Sequence, residues 1–136
     1  YFTLVYAEIN TETGAGTLVQ AGHPHPVLLR ANGDLEELGD GGLPIGLIPN
    51  AQFDEVKFTL GAGDRLVITS DGITECSDDQ GCELGQDGLV KLLQSNAKLA
   101  GLDMLEALVW DLQTYRGNGD FADDVSALVV EFSPEP

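Results

Sequence analysis

The sequence predicts an α+β fold built on a largely antiparallel sheet. Short β-branched and aromatic runs divided by turn residues fill its first two thirds, two stretches of helical period follow, and one apolar run closes the chain.

Phe2-Thr3-Leu4-Val5-Tyr6 with Ile9 makes the first expected strand, stopped by the turn-rich Asn10-Thr11-Glu12-Thr13-Gly14. Thr17-Leu18-Val19 is the second and Val27-Leu28-Leu29 the third. Asn32-Gly33, set between Leu29 and Leu35, predicts a two-residue hairpin, because both positions tolerate positive φ. Phe53 to Leu60 alternates partially, as a half-buried strand does, and Asp64 to Ser70 has a continuous apolar centre that predicts burial on both faces. Leu89, Leu92 and Leu93 predict a short helix from about Asp87 to Lys98. Leu105, Leu108, Val109 and Leu112 place one apolar face on a second helix, with Asp103 as N-cap, Glu106 as its capping-box partner and Gly117 just past the end. Val125 to Phe132 reads as the closing strand.

A length of 136 residues fits one domain, and 43% hydrophobic residues suit a globular core. No apolar run approaches the ~18 residues that span a bilayer, and the opening segment lacks the basic start of a signal peptide. The chain begins at Tyr1 and its sole Met is Met104, so a piece of a longer protein is expected. A net charge of −17 speaks against nucleic acid or an acidic membrane as partner. Cys76 and Cys82 have neither CxxC spacing nor a histidine ligand pattern, and are expected as free thiols in a reducing cytoplasm.

Most motifs favour plain structural readings. Gly61-Ala62-Gly63 precedes its strand and lacks the third glycine of a dinucleotide loop, so a hairpin turn is expected. An EF-hand reading of the acid run would put Cys76 in the first calcium position, and fails. His23 and His25 in AGHPHPVLLR flank Pro24 and have no third ligand nearby, which favours a rigid loop over a zinc site. No nucleophile elbow or triad signature is present.

Two acid clusters remain: Asp71 at a strand end, followed by Gly72, and Asp123-Asp124 just before the closing strand. If those strands are neighbours, Asp71 and Asp123 emerge together. Clustered carboxylates repel unless a cation compensates, and all-oxygen sites suit hard divalent ions. The competing reading is a pair of separate turn caps.

The ordered set AGHPHPVLLR, GLPIG at 42–46, GDRLVITSDGITE at 63–75, a glycine at Gly85 and DDVSALVV at 123–130 resembles the bacterial serine phosphatases of the sporulation protein IIE and sigma-B regulator type, members of the PP2C-like, metal-dependent phosphatases. The resemblance covers nearly the whole chain. It implies a sandwich of two mainly antiparallel sheets flanked by helices, with two Mn²⁺ or Mg²⁺ ions between them and a metal-activated water, not a side chain, as nucleophile towards phosphoserine or phosphothreonine. By the same resemblance Asp71 and Asp123 are metal ligands, Asp124 is their neighbour, and Gly72 lets the backbone pass close to the site.

One departure matters. The family's Asp-x-x-Gly-x-Gly segment, whose aspartate bridges both ions, precedes the strand corresponding to Phe2-Thr3-Leu4. The expectation is therefore the C-terminal portion of one phosphatase domain, its N-terminal part missing, holding half of the metal site and inactive alone. The resemblance further implies a cytoplasmic bacterial signalling enzyme acting on a phosphorylated regulatory protein of the anti-sigma-factor-antagonist type. It also implies an upstream sensory or receiver domain, as in two-component response regulators, and leaves a homodimer open. A catalytically degenerate phosphatase-like module that binds a regulatory partner is the alternative, and a plain calcium-binding module a weaker third.

Overall fold

A computed structural model describes residues 1–99 and 101–135. Among the described residues, seven strands and three helices follow in order: β1 (Leu4–Ile9), β2 (Ala15–Ala21), β3 (Val27–Leu29), β4 (Leu35–Glu37), β5 (Glu55–Thr59), β6 (Arg65–Thr69), α1 (Asp71–Thr74), α2 (Gly85–Ser95), α3 (Gly101–Arg116) and β7 (Ala127–Glu131). The strands form two sheets, β1-β2-β5 and β4-β3-β6-β7, and every pairing within them is antiparallel.

Strand alternation divides the apolar residues between two cores. Leu28 and Leu66, cross-strand partners on β3 and β6, are wholly buried and meet Leu18 and Phe58 of the other sheet. Their chain neighbours Val27, Leu29 and Val67 point the opposite way, onto Leu89 and Leu93 of α2 and Met104, Leu108 and Leu112 of α3. β6 is buried on both faces, as its continuous apolar centre predicts.

Five expectations change in detail. The hairpin between β3 and β4 turns over Arg30–Gly33, with the Gly33 N–H donating to Arg30 O at 2.9 Å, and only Gly33 takes positive φ. The Gly61–Gly63 turn is no hairpin, because β5 and β6 lie in different sheets and the turn carries the chain across the sandwich. Asp64 organises that crossing: its carboxylate accepts from the Gly61 and Ala31 N–H groups at 2.7 and 2.8 Å and pairs with Arg30 at 2.9 Å.

Helix α2 runs Gly85–Ser95, ending ahead of Lys98. The Asn96 amide stops it, donating to Leu92 O and to the Asp111 carboxylate on α3. Helix α3 begins at Gly101, so Asp103 is not its N-cap but lies inside the first turn, where its charge still meets the positive end of the helix dipole. Its buried stripe is Met104, Leu108 and Leu112, while Val109 faces outward. Gly117 follows at φ 75°, as a helix terminator should. The buried Arg65 guanidinium donates to Ala97 O and Leu99 O and ties the α2–α3 connection onto β6.

Candidate metal centre

The pairing of β6 with β7 brings the two acid clusters together. Thr69 on β6 lies opposite Ala127 on β7, so the residues just beyond each, Ser70-Asp71 and 123–126, leave the sheet at the same end. Ser70 precedes α1 in extended conformation (φ −74°, ψ 163°), yet its side chain does not cap that helical turn. It turns across to the neighbouring chain instead, donating to Asp124 O at 3.2 Å and accepting from the Ser126 N–H at 2.9 Å.

Gly72 shows how closely the two segments pack. A Cβ on it would fall 2.1 Å from Asp124 O, well inside any permissible contact. The glycine is thus required for chain against chain, which seats the 123–124 backbone beside Asp71. Two residues ahead of Asp123, the Phe121 ring lies beneath the Arg116 guanidinium at 4.4 Å.

Carboxylate oxygens of Asp71, Glu75 and Asp123 lie within 4.8 Å of one another, all on exposed residues. Glu75 was not anticipated among the site residues. It joins because 71–74 form one helical turn, which puts residues four apart on one face. Asp124 is present through its main chain rather than its carboxylate: its N–H donates to the Asp123 side chain at 2.7 Å and its carbonyl accepts from Ser70. His23 and His25 stay apart from the acids, tied to Thr3 Oγ1 and Leu38 O at 3.1 Å each, as a structural loop would have them.

The ion pairs of the described residues, Arg30 with Glu36 and Asp64 and Arg116 with Asp120, leave Asp71, Glu75 and Asp123 without a basic partner. Three hard oxygen donors converging without a countercharge are the donor set a hard divalent cation takes. The thiols offer little: Cys76 and Cys82 are both free, and burial pushes the Cys76 thiol up against the opposing pull of Arg116.

Comparison with known proteins gives this geometry a family. The chain is 26% identical over 125 residues to the phosphoserine phosphatase RsbU of Bacillus subtilis, a match covering 89% of this chain and 37% of that protein. It superposes on the PP2C domain of SiaA from Pseudomonas aeruginosa with TM-score 0.85 at 17% identity, covering 96% of this chain and 52% of that one. For the manganese-presoaked phosphatase domain of the cell-fate determinant SpoIIE from Bacillus subtilis the TM-score is 0.79 at 22% identity, with 100% and 58% covered. The fold is therefore PP2C-like. The chain spans 20% and 37% of the length of the curated relatives it matches. Residues 1–133 match the family described as Stage II sporulation protein E (SpoIIE), and the chain belongs to that family.

Proposed function

We propose that the chain is the C-terminal portion of a metal-dependent protein serine/threonine phosphatase domain acting on a phosphorylated regulatory protein in bacterial signalling. The observation that carries this reading is the convergence of Asp71, Glu75 and Asp123 at the shared end of β6 and β7. Asp71 and Asp123 are the proposed ligands of Mn²⁺ or Mg²⁺, with Glu75 as a further oxygen donor from the same helical turn.

A divalent cation at this place supplies Lewis-acid stabilisation of a transferring phosphoryl group and lowers the pKa of a coordinated water. The chain's own part is electrostatic and positional. Its acids would repel a phosphate monoester by themselves, so productive binding requires the cation. Asp124 serves through its N–H, which donates to the Asp123 carboxylate at 2.7 Å and orients it. Ser70 and Gly72 hold the two acid-bearing segments at a fixed separation.

Because the chain covers 52% and 58% of the solved phosphatase chains, turnover is assigned to the longer protein, and the chain alone is expected to be inactive. The free thiols support a reducing, cytoplasmic setting. Two measurements test the reading. Calorimetric titration of Mn²⁺ into the chain should show binding that Asp71→Asn and Asp123→Asn each weaken at least tenfold; unchanged binding sinks the assignment. Hydrolysis of a phosphoserine protein by the longer protein should depend on Mn²⁺, and metal binding without turnover there would favour the non-catalytic, partner-binding alternative.

A further inference from the structure

The last residues of α3 converge on the segment that follows Glu75. The Tyr115 hydroxyl donates to Cys82 O at 2.8 Å. Gly117 lies so near Asp79 that a Cβ on it would fall 2.5 Å from the Asp79 carboxylate. Between these two, the Arg116 guanidinium stacks 4.4 Å over the Phe121 ring. Its charge also reaches the Cys76 thiol, which it pulls down against the larger effect of burial. The segment so clasped is a small hairpin: Ser77 bridges Glu83, and the Leu84 N–H donates to Cys76 O at 2.8 Å. Cys76 at its root is buried, and Phe121 packs against the same core. All of these contacts are internal to the chain.

Arg116 is the centre of this clasp. Six Lys and Arg stand against 23 Asp and Glu, so a cation whose side chain is only 20% exposed is not a casual placement. Its carboxylate partner among the described residues, Asp120, is 3.9 Å away and fully exposed, which makes a weak attachment. Its Nε is buried without a hydrogen-bond partner. The guanidinium is therefore fixed chiefly by the ring beneath it, and its flat shape suits stacking on an aromatic face. On one side of it lies Cys76, next to Glu75; on the other lies Phe121, two residues ahead of Asp123. The Ser70 bonds tie the start of α1 to the backbone of Asp124 and Ser126, but they do not reach Glu75, one helical turn farther on. We propose that Arg116 is a positioning residue of the metal centre: it pins the segment after Glu75 to the segment before Asp123 and so sets the gap between those two carboxylates. The inference rests on the metal-site reading and adds to it a residue outside the acid cluster.

Calorimetric titration of Mn²⁺ into the chain is the first measurement. Arg116→Met keeps most of the side-chain bulk and removes the cation, and should weaken Mn²⁺ binding about fivefold. Phe121→Leu should cost about the same. The double variant should lose no more than either single change, because both act through one stack. Full multiplication of the two effects, or unchanged affinity in Arg116→Met, overturns the inference. Leu108→Val is a core change on the same helix that lowers stability without touching the clasp, and it should keep the wild-type affinity. An equal loss there means that loosening α3 is enough, and overturns the inference too. NMR of the metal-free chain is the second measurement. Phe121→Leu should move the Glu75 amide signal, and should cease to do so in the Arg116→Met background. If the wild-type chain takes up no Mn²⁺, the metal-site reading fails and this amide coupling alone decides the clasp. A shift passed through Arg116 upholds it, and its absence overturns it.

Discussion

Ser70 and Ser126 are joined twice: the Ser70 N–H donates to Ser126 O at 2.9 Å, and the Ser126 N–H donates to Ser70 Oγ at 2.9 Å. The first bond extends the β6–β7 ladder by one step, and the second is supplied by a side chain where the ladder stops. Together they set the spacing of the segments just beyond the ladder, which carry Asp71 at the start of α1 and Asp123 ahead of β7.

Ser70→Ala keeps the backbone bond and removes the hydroxyl. The expected result is a loss of about 1 kcal/mol in stability, read by denaturant unfolding, with a several-fold drop in Mn²⁺ affinity read by calorimetry. An unchanged Mn²⁺ affinity would show that the carboxylates hold their spacing without this bond.

Gly72→Ala tests chain proximity rather than backbone strain, because Gly72 is absent from the positive-φ positions. The new methyl would meet Asp124 O, and the 123–124 segment must move away from Asp71. The expected cost is about 2 kcal/mol, together with loss of Mn²⁺ binding. Gly81→Ala has open space around it but a φ of 82°, so it should lose some stability and keep the metal.

Leu66→Ala empties a fully buried position between the sheets and should destabilise by about 3 kcal/mol. Leu128, its near neighbour in register on β7, is 56% exposed, and Leu128→Ala should stay within about 0.5 kcal/mol. Comparable losses at the two positions would contradict the separation of buried and open ends along that strand pair.

Asp64 predicts an acid transition. Burial pushes its carboxyl up, but the Ala31 and Gly61 N–H groups and the Arg30 guanidinium outweigh it and hold the group below its ordinary value of 3.8. The unfolded chain therefore takes the proton more readily. The stabilisation is complete above the unfolded value and disappears as pH falls through the folded one. Unfolding followed from pH 6 to pH 2 should show wild type losing more stability below about pH 4 than Asp64→Asn, which starts about 2 kcal/mol lower. Parallel pH curves would remove Asp64 from the account.

Strand positions were legible because β-branched and aromatic runs carry their own punctuation, and β6 announced its double burial by having no polar residue at its centre. The pairing of Asp71 with Asp123 could be read only on condition that β6 and β7 be neighbours, since spacing in sequence says nothing of strand order. Glu75 escaped because a helix of one turn is too short to show a period. Val109 was misplaced for a different reason: α3 has apolar residues on two sides, and periodicity finds the stripes without saying which one meets the sheet. At Gly61–Gly63 the glycines announce a turn, but whether the chain stays in its sheet depends on contacts distant in sequence, such as Asp64 reaching Ala31.

The double-sided burial of β6 also sets what kinds of change the gene can accept. Exchanging one aliphatic residue for another at Leu66 or Val67 alters volume in one layer alone, and repacking can absorb it. Inserting or deleting a single codon between Leu66 and Asp71 is a different event, because every later side chain changes face and the carboxylate leaves the strand pointing away from Asp123. The segment should therefore drift in composition over evolutionary time while holding a constant length, like a ruler whose markings may be redrawn but not moved.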